Sequence, residues 1–391
     1  MDKNTSPHLV SQIGAVDTYT NLPKSTIYIY PNPDLRWEKT RSYNVGLDVV
    51  SWDGRLNATF DFYKKMGTDI VMQKQISGVN GMGLFKINGS DMNNTGVEVD
   101  LTGYPVKTEN IDFSIGITYG YNKNKLIKAN DGKEITLADR IAGRALVVGE
   151  TVGTLYSYRF AGLDPQYGLP LFYDMYGNKE FTYHDGTQER VSPNYTVYEQ
   201  EAAIVKSGTL EPHSAGGLQL AVRYKNLRLK ANFEYKFGGV NRLPDIYNEE
   251  YDRVFDPFLN VSKELDKRWK KPGDEKHTNI PALIDYDTYS KLPRRALDAS
   301  LTQRDGVRLY DYSDVRVAST DNIRLKSLTL NYILPNRIRN YFGVSNMVVG
   351  FQASNLFLIA DKAWRGFDPD MGKSANVSIP KTYSMNVNIS F

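Results

Sequence analysis

Apolar and polar residues alternate one by one through long stretches of this chain, the period of a β-strand with a different solvent on each face. Near the end, Tyr383, Met385, Val387, Ile389 and Phe391 share one face, while Ser384, Asn386, Asn388 and Ser390 share the other. Leu227–Phe237 repeats the arrangement, with Leu227, Leu229, Ala231, Phe233, Tyr235 and Phe237 opposing Arg228, Lys230, Asn232, Glu234 and Lys236. Burying so many charges and amides without partners is costly, so that second face meets water. The pattern recurs in Tyr43–Val49, Leu56–Phe62, Val97–Leu101, Phe113–Tyr121, Leu218–Tyr224 and Met347–Ala353. One further strand changes phase: Ile323 and Leu325 alternate on odd positions, then Leu328, Leu330 and Tyr332 on even ones. A bulge near Lys326–Ser327 restores a single apolar face.

Several of these runs reach about ten residues with their flanks, the length of a tilted bilayer-crossing strand, whereas strands of soluble proteins average about five or six. Connections alternate between two kinds. Short turns are expected at Trp52–Asp53–Gly54, Pro105–Asn110, Lys225–Asn226 and around Pro335–Gly343, and long polar stretches at 66–93, 123–151, 238–320 and 359–381. Short turns at one end and long loops at the other is the asymmetry of outer-membrane barrels, the short turns being periplasmic. The expected fold is all-β: an antiparallel transmembrane β-barrel of nine strands, eleven with a further pair within 152–176. An odd count starting outside the cell makes an incomplete barrel, because single-chain bacterial barrels have even counts.

Composition removes several classes. Lys+Arg number 48 against Asp+Glu 45, and no basic run tracks a phosphate backbone, so nucleic acid is not an expected partner. Without cysteine there are no disulfides, thiolate metal sites or cysteine nucleophiles, and the four histidines (His8, His184, His213, His277) lie far apart in sequence. The 27 Tyr and 16 Phe suit membrane–water boundaries, although Tyr is also a good strand former. No stretch approaches the roughly 18 apolar residues of a membrane-spanning helix, and mean hydropathy is −0.46, which a barrel with one polar face tolerates. The opening residues MDKNTSPHLV do not form an export signal, so the leader is expected upstream of this sequence.

Candidate chemistry is sparse. Gly366–Ser374 approaches a phosphate-binding loop, but it has one residue too many between its glycines and strands on both sides. Asp368 and Asp370 before Gly372 resemble a cation turn without the closing Glu. Glu249 and Glu250, with Asp245 and Asp252, are adjacent carboxylates on a loop and lack the fixed separation acid–base catalysis needs. No GxSxG elbow occurs. The expectation is no enzyme, and no catalytic, cofactor or metal residue. Tyr247, Tyr251, Phe255, Phe258, Trp269 and Tyr286–Tyr289 either stack on ligand or lid, or pack their own loop.

Seven blocks in order carry a family likeness. Pro31-Asn32-Pro33-Asp34-Leu35-Arg36-Trp37-Glu38 with Asn44-Val45-Gly46-Leu47-Asp48, then Asn94-Thr95-Gly96-Val97-Glu98, then Gly162-Leu163-Asp164-Pro165 with Gly168-Leu169-Pro170-Leu171-Phe172-Tyr173-Asp174, resemble SusC/RagA-type TonB-dependent outer-membrane transporters. So do Asn322–Leu330, Ser354-Asn355-Leu356-Phe357, Gly366-Phe367-Asp368-Pro369 and Pro380-Lys381-Thr382-Tyr383. The resemblance implies the C-terminal part of a barrel of about 22 strands, with residues 1–40 an extracellular loop segment and 41–391 the barrel strands and their loops, the plug domain and the first half of the barrel lying elsewhere. It implies an outer-membrane importer energised by TonB–ExbB–ExbD and capped by a SusD-like lipoprotein, with an oligosaccharide or a peptide as cargo. Phe391, Ile389 and Tyr383 look like the barrel-assembly signal; Phe391 as a plain interfacial anchor fits equally. The competing classes are a soluble or surface-attached glycan-binding or adhesin protein and a secreted β-hydrolase. The first packs its apolar faces into a closed core; the second needs two buried, separated carboxylates.

Overall fold

The computed structural model of the protein describes residues 10–29, 32–75, 84–130, 135–173, 179–181, 204–246, 262–283, 306–374 and 379–391. Its main sheet is an antiparallel meander of β1 (Lys39–Ser51), β2 (Leu56–Gln75), β3 (Leu84–Lys107), β4 (Ile111–Ala129), β5 (Ser214–Tyr224), β6 (Leu227–Phe237), β7 (Asn322–Ile333), β8 (Asn346–Ser354) and β9 (Thr382–Ser390). Each strand pairs with its predecessor, and a short strand, Leu358–Ala360, adds to the start of β7. These are the nine strands that alternation predicts. Among the described residues β1 and β9 have a ladder partner on one side only, so the sheet is open.

Register carries the apolar positions across the strands in rows, because directly opposed residues of an antiparallel pair point to the same face. One row runs Val49, Ala58, Leu101, Ile117, Leu218, Phe233, Leu325; another runs Phe113, Val222, Leu229, Leu330, Phe351, Met385. The phase change in β7 is a bulge: Asn232 opposes Ser327, Phe233 opposes Leu325, and Lys326 is left over. The extra residue keeps Leu325 and Leu328 on one face.

Nothing among the described residues covers this apolar face. Val45 is 72% exposed, Met385 72% and Leu229 41%, with Phe60, Phe62, Ile117, Leu330 and Phe351 exposed beside them. Burying one such side chain recovers about 1.5–3 kcal/mol, so a whole band of them facing water is untenable and needs an apolar solvent. Among the described residues, the closed core that a soluble binding module requires is not found behind this sheet.

The first strands depart from expectation. The stretch 66–93, read as a long loop, is mostly strand, since β2 runs to Gln75 and β3 begins at Leu84; β4 likewise continues to Ala129, into the stretch 123–151. At about 3.4 Å per residue, the 24 residues of β3 span about 80 Å, well over the roughly 42 Å a strand tilted 45° needs to cross a hydrocarbon core of about 30 Å. Over this excess length pairing continues without alternation of apolar and polar residues. A register shift between Gly67 and Ile70, with Asp69 at φ 59°, marks the change.

Four connections lie at one end of the antiparallel sheet: 52–55, 108–110, 225–226, and the turn after β7, which holds a short helix, α1 (Asn336–Tyr341). The opposite end carries the connection 76–83 and the long connections, whose described parts fold. Thr154–Tyr158 pairs with Ile204–Thr209, Phe160–Leu163 with Pro170–Tyr173, and Val240–Arg242 with Val317–Ser319, all off the main sheet. The extra pair expected within 152–176 is therefore not a barrel hairpin. Thr154–Tyr158 is buried on both faces, which erases any alternation. Leu137, Ile141, Tyr156, Tyr158, Phe172, Ile204, Ile246, Leu265, Leu309 and Tyr310 form one hydrophobic core from four separate stretches of chain.

Candidate functional site

The polar face of the sheet is the surface on which function can act, and its charge is uneven. Asp48 and Asp100 share one row with Thr59, Thr118, Glu234 and Arg324; Asp61 and Glu98 share the next with Lys236 and Asn322. Carboxylates thus cluster on β1–β3 and cations on β6–β7. Toward β9 the face turns to amides and hydroxyls, with Asn331, Gln352, Ser384 and Asn386. Glycine is required where a ring lies across this face: Tyr63 covers Gly96 and donates from its hydroxyl to Asn122 Oδ1 at 3.3 Å, so a side chain at 96 would collide with the ring.

Two devices tie loops to the wall. The block Asn32–Glu38 clasps the protruding ends of β2 and β3. Arg36 N donates to Asn88 Oδ1 at 2.8 Å, Asn88 Nδ2 returns a bond to Arg36 O at 2.8 Å, and Glu38 Oε1 accepts from Val71 N at 2.8 Å. Arg36 and Lys39 both pair with Asp69, the bulge residue. The second device holds the segment 361–374. Arg324 grips Asp368 with both guanidinium nitrogens, at 2.7 and 2.8 Å, and reaches Asp370 at 3.1 Å. Lys236 joins Asp370 at 3.0 Å, and Glu234 links Lys236 to Lys326. Arg324 and Asp368 are almost fully buried. Burial alone would raise the Asp368 carboxyl, but the Arg324 contact and the Asp370 backbone N–H hold it below the usual carboxylate range.

The folded loops carry their own ionic core. Arg316 meets Glu264 at 2.7 Å and Asp311 at 3.6 Å, and Arg365 reaches the same Glu264 at 2.6 Å. Arg242 donates to the carbonyl oxygens of Ile141 and Tyr156 and to Ser157 Oγ, and burial brings its pKa down to about 10, leaving it charged at neutral pH. Burial pushes the Tyr156 hydroxyl up to about 12, helped by its bond to Glu150, and the Tyr310 hydroxyl up to about 12 as well. Both stay neutral at physiological pH, and the Tyr156 hydroxyl donates to Glu150 Oε2 at 2.6 Å.

The candidates from sequence fall out as follows. Tyr383 and Ile389 lie on the outward face of β9, where Tyr383 stacks on Phe351 at 6.4 Å; Phe391 follows the strand, 94% exposed. Asp368 and Asp370 are ligated by arginine and lysine, and Lys373 pairs with Asp245 at 2.9 Å while lying over the Tyr312 ring. Trp269 is packing, buried against Gly168 with its Nε1 donating to Glu275. Glu249, Glu250, Asp252, Tyr247, Tyr251, Phe255, Phe258 and Tyr286–Tyr289 lie outside the described residues, as do His8 and His184. Sequence reasoning missed Arg324, Glu234, Arg242 and Arg316 as a group. The only signal for Arg324 is its place on the polar face of a strand.

Residues 11–199 match the family model described as TonB dependent receptor-like, beta-barrel. The chain is 24% identical over 400 residues to TonB-dependent receptor P3 of Formosa agariphila, covering 93% of this chain and 35% of that protein. It is 25% identical over 374 residues to TonB-dependent receptor SusC of Bacteroides thetaiotaomicron, covering 91% and 31%. It thus spans about a third of these relatives' length. Among solved structures, the RagAB peptide transporter superposes with a TM-score of 0.73 at 22% identity, covering 99% of this chain and 39% of that one.

Proposed function

We propose, from a chain whose fold and sequence are those of a TonB-dependent receptor barrel, that it forms the C-terminal part of an energy-coupled importer in the outer membrane of a Gram-negative cell. The observation that carries this reading is the uncovered apolar band on one side of β1–β9 with a charged, hydrogen-bonding face behind it. The band contacts lipid, and the polar face lines the transport path. The open edges of β1 and β9 pair with further strands of the closed barrel, because unpaired edges cannot persist in lipid. Phe391, with Ile389 and Tyr383, serves as the signal read by the assembly machinery.

A face rich in amides, hydroxyls and mixed charges suits a polar, extended cargo. An oligosaccharide is the favoured class; the likeness to a peptide transporter is the specific reason to keep peptide as the second. A SusD-like lipoprotein over the folded loops and TonB–ExbB–ExbD on the periplasmic side complete the machine. Cells lacking the full-length gene are expected to lose uptake of one labelled oligosaccharide or peptide class, and a protonophore should abolish the uptake that complementation restores. Undiminished uptake without the gene, or uptake indifferent to the protonophore, would overturn the proposal.

A further inference from the structure

The ladder between β6 and β7 does not run unbroken into the loops. It stops at Lys236–Asn322 and starts again at Val240–Ser319 as a separate two-stranded sheet. Gly238 and Gly239 lie in the gap. Gly238, at φ 86°, donates its N–H to Asp321 Oδ1 at 2.6 Å, and a Cβ at 239 would come within 2.5 Å of the Thr320 hydroxyl. Two adjacent glycines beside a broken ladder make the backbone cheap to bend. The gap is a hinge between the wall and the loop core.

The segment 361–374 lies across this hinge and grips both sides of it. On the wall side it offers anions: Asp368 to Arg324, and Asp370 to Arg324 and Lys236, all within 3.1 Å. On the loop side it offers cations: Arg365 to Glu264 at 2.6 Å and Lys373 to Asp245 at 2.9 Å. Trp364, almost fully buried, packs on Leu243 and Ala318, and its Nε1 donates to Ser319 O at 2.6 Å, beside the restarted ladder. The backbone at Gly372 lies against Asn241 of that same ladder. Arg365 takes a left-handed φ of 52°, costly for a residue with a side chain and held here by the Glu264 pair. The loop core meets the sheet again at β4, where Leu126 exchanges backbone bonds with Gly149 and Glu150. Held at β4 and at the two glycines, the core moves most cheaply by swinging about the line that joins them. The two-sided grip of the segment opposes that swing.

We propose that the segment 361–374 is a splint across a two-glycine hinge: it sets the angle at which the loop core stands over the lumen mouth, and the core swings only when the splint lets go. The inference rests on the barrel reading, which makes this end of the sheet the mouth. The splint is built to release and to reseat. Arg324 and Asp368 are closed to water, but the Lys236, Asp370, Lys373 and Asp245 side chains are each 29–30% exposed, so those pairs trade with water at little cost. Because the segment sets anions against wall cations and cations against loop anions, it reseats in one register only.

The test measures, by pulsed electron resonance, the distance between nitroxide labels at Lys270→Cys in the loop core and Glu109→Cys at the short-turn end, both exposed. It uses the full-length protein in bilayers, with any cysteine outside this chain replaced. The otherwise unaltered protein is expected to give one narrow distance. Arg365→Gln/Lys373→Gln leaves no buried charge alone, since Glu264 keeps Arg316. It should bring in a second distance whose population rises about ten-fold, the change two partly exposed pairs command. Arg324→Met/Asp368→Leu/Asp370→Asn cuts the wall end while making the buried pair apolar, and should do the same. Lys263→Gln/Lys276→Gln removes as much positive charge from exposed loop positions and should keep the single distance. One narrow distance in both cut variants would overturn the splint, and so would a broad distribution before any cut or a second distance in the charge control. A separate Leu229→Cys label reports insertion through its collisions with oxygen. Their absence would sink the barrel reading, and the hinge's place at a mouth with it.

Discussion

Arg324→Ala is expected to destabilise the full-length barrel by about 3–5 kcal/mol, since it strands the Asp368 carboxylate in a site almost closed to water. The cost comes from leaving a charge without its partner more than from losing an attraction. Arg324→Met combined with Asp368→Leu should therefore recover most of the loss, as replacing a buried pair by apolar groups is often neutral. Urea titration of the refolded protein measures both. Acid should act through the same pair. The Asp368 carboxyl is held below its ordinary value, so the stability it contributes is present above the unfolded carboxylate pKa of about 3.9 and is lost as pH falls through the folded one. The wild type should lose stability on acidification more steeply than Asp368→Asn. Equal slopes would remove the pair from any structural role.

The second large effect contrasts two neighbours. Leu220 and Gln219 are adjacent at the middle of β5 and point to opposite faces, Leu220 in a row with Ile115 and Ala231, Gln219 in a row with Gly116 and Asn232. Leu220→Arg is expected to cost about 2–4 kcal/mol in lipid, the penalty of an arginine facing the bilayer midplane. Gln219→Arg, moving the same side chain to the wet face, should stay within about 1 kcal/mol of wild type. A one-residue step that changes the cost this much is the signature of two solvents. Comparable costs at both positions would mean that the faces do not differ.

What alternation made legible is the part of the molecule that lies between those solvents. All nine strands were readable because each face meets one environment throughout, and even the bulge at Lys326 showed as a change of phase. The upper halves of β2 and β3 were not, because there Ile70, Val71 and Met72 follow one another, all half-buried, and the ladder continues without alternation. The folded loops were opaque for a different reason. Their core joins Leu137 to Tyr310, and Arg242 finds its acceptors at Ile141 and Tyr156, about a hundred positions away. Arg324 and Asp368 are likewise 44 residues apart, so the aspartate read alone was only a turn residue. Local pattern cannot report such pairings. Family likeness did better there in one respect: the blocks around Asn32–Glu38 and Gly366–Pro369 are the segments by which loops grip the wall.

Because the chain contains no cysteine, spin labels can be placed one at a time along β6, and their collisions with oxygen in the bilayer and with a water-soluble nickel chelate measure the solvent at each position. Labels at Leu227, Leu229, Ala231, Phe233, Tyr235 and Phe237 should favour oxygen, and those at Arg228, Lys230, Asn232, Glu234 and Lys236 the chelate, with a period of two. Protection of the first set from both reagents, as in a dry interior, would contradict the lipid-facing band and with it the transporter.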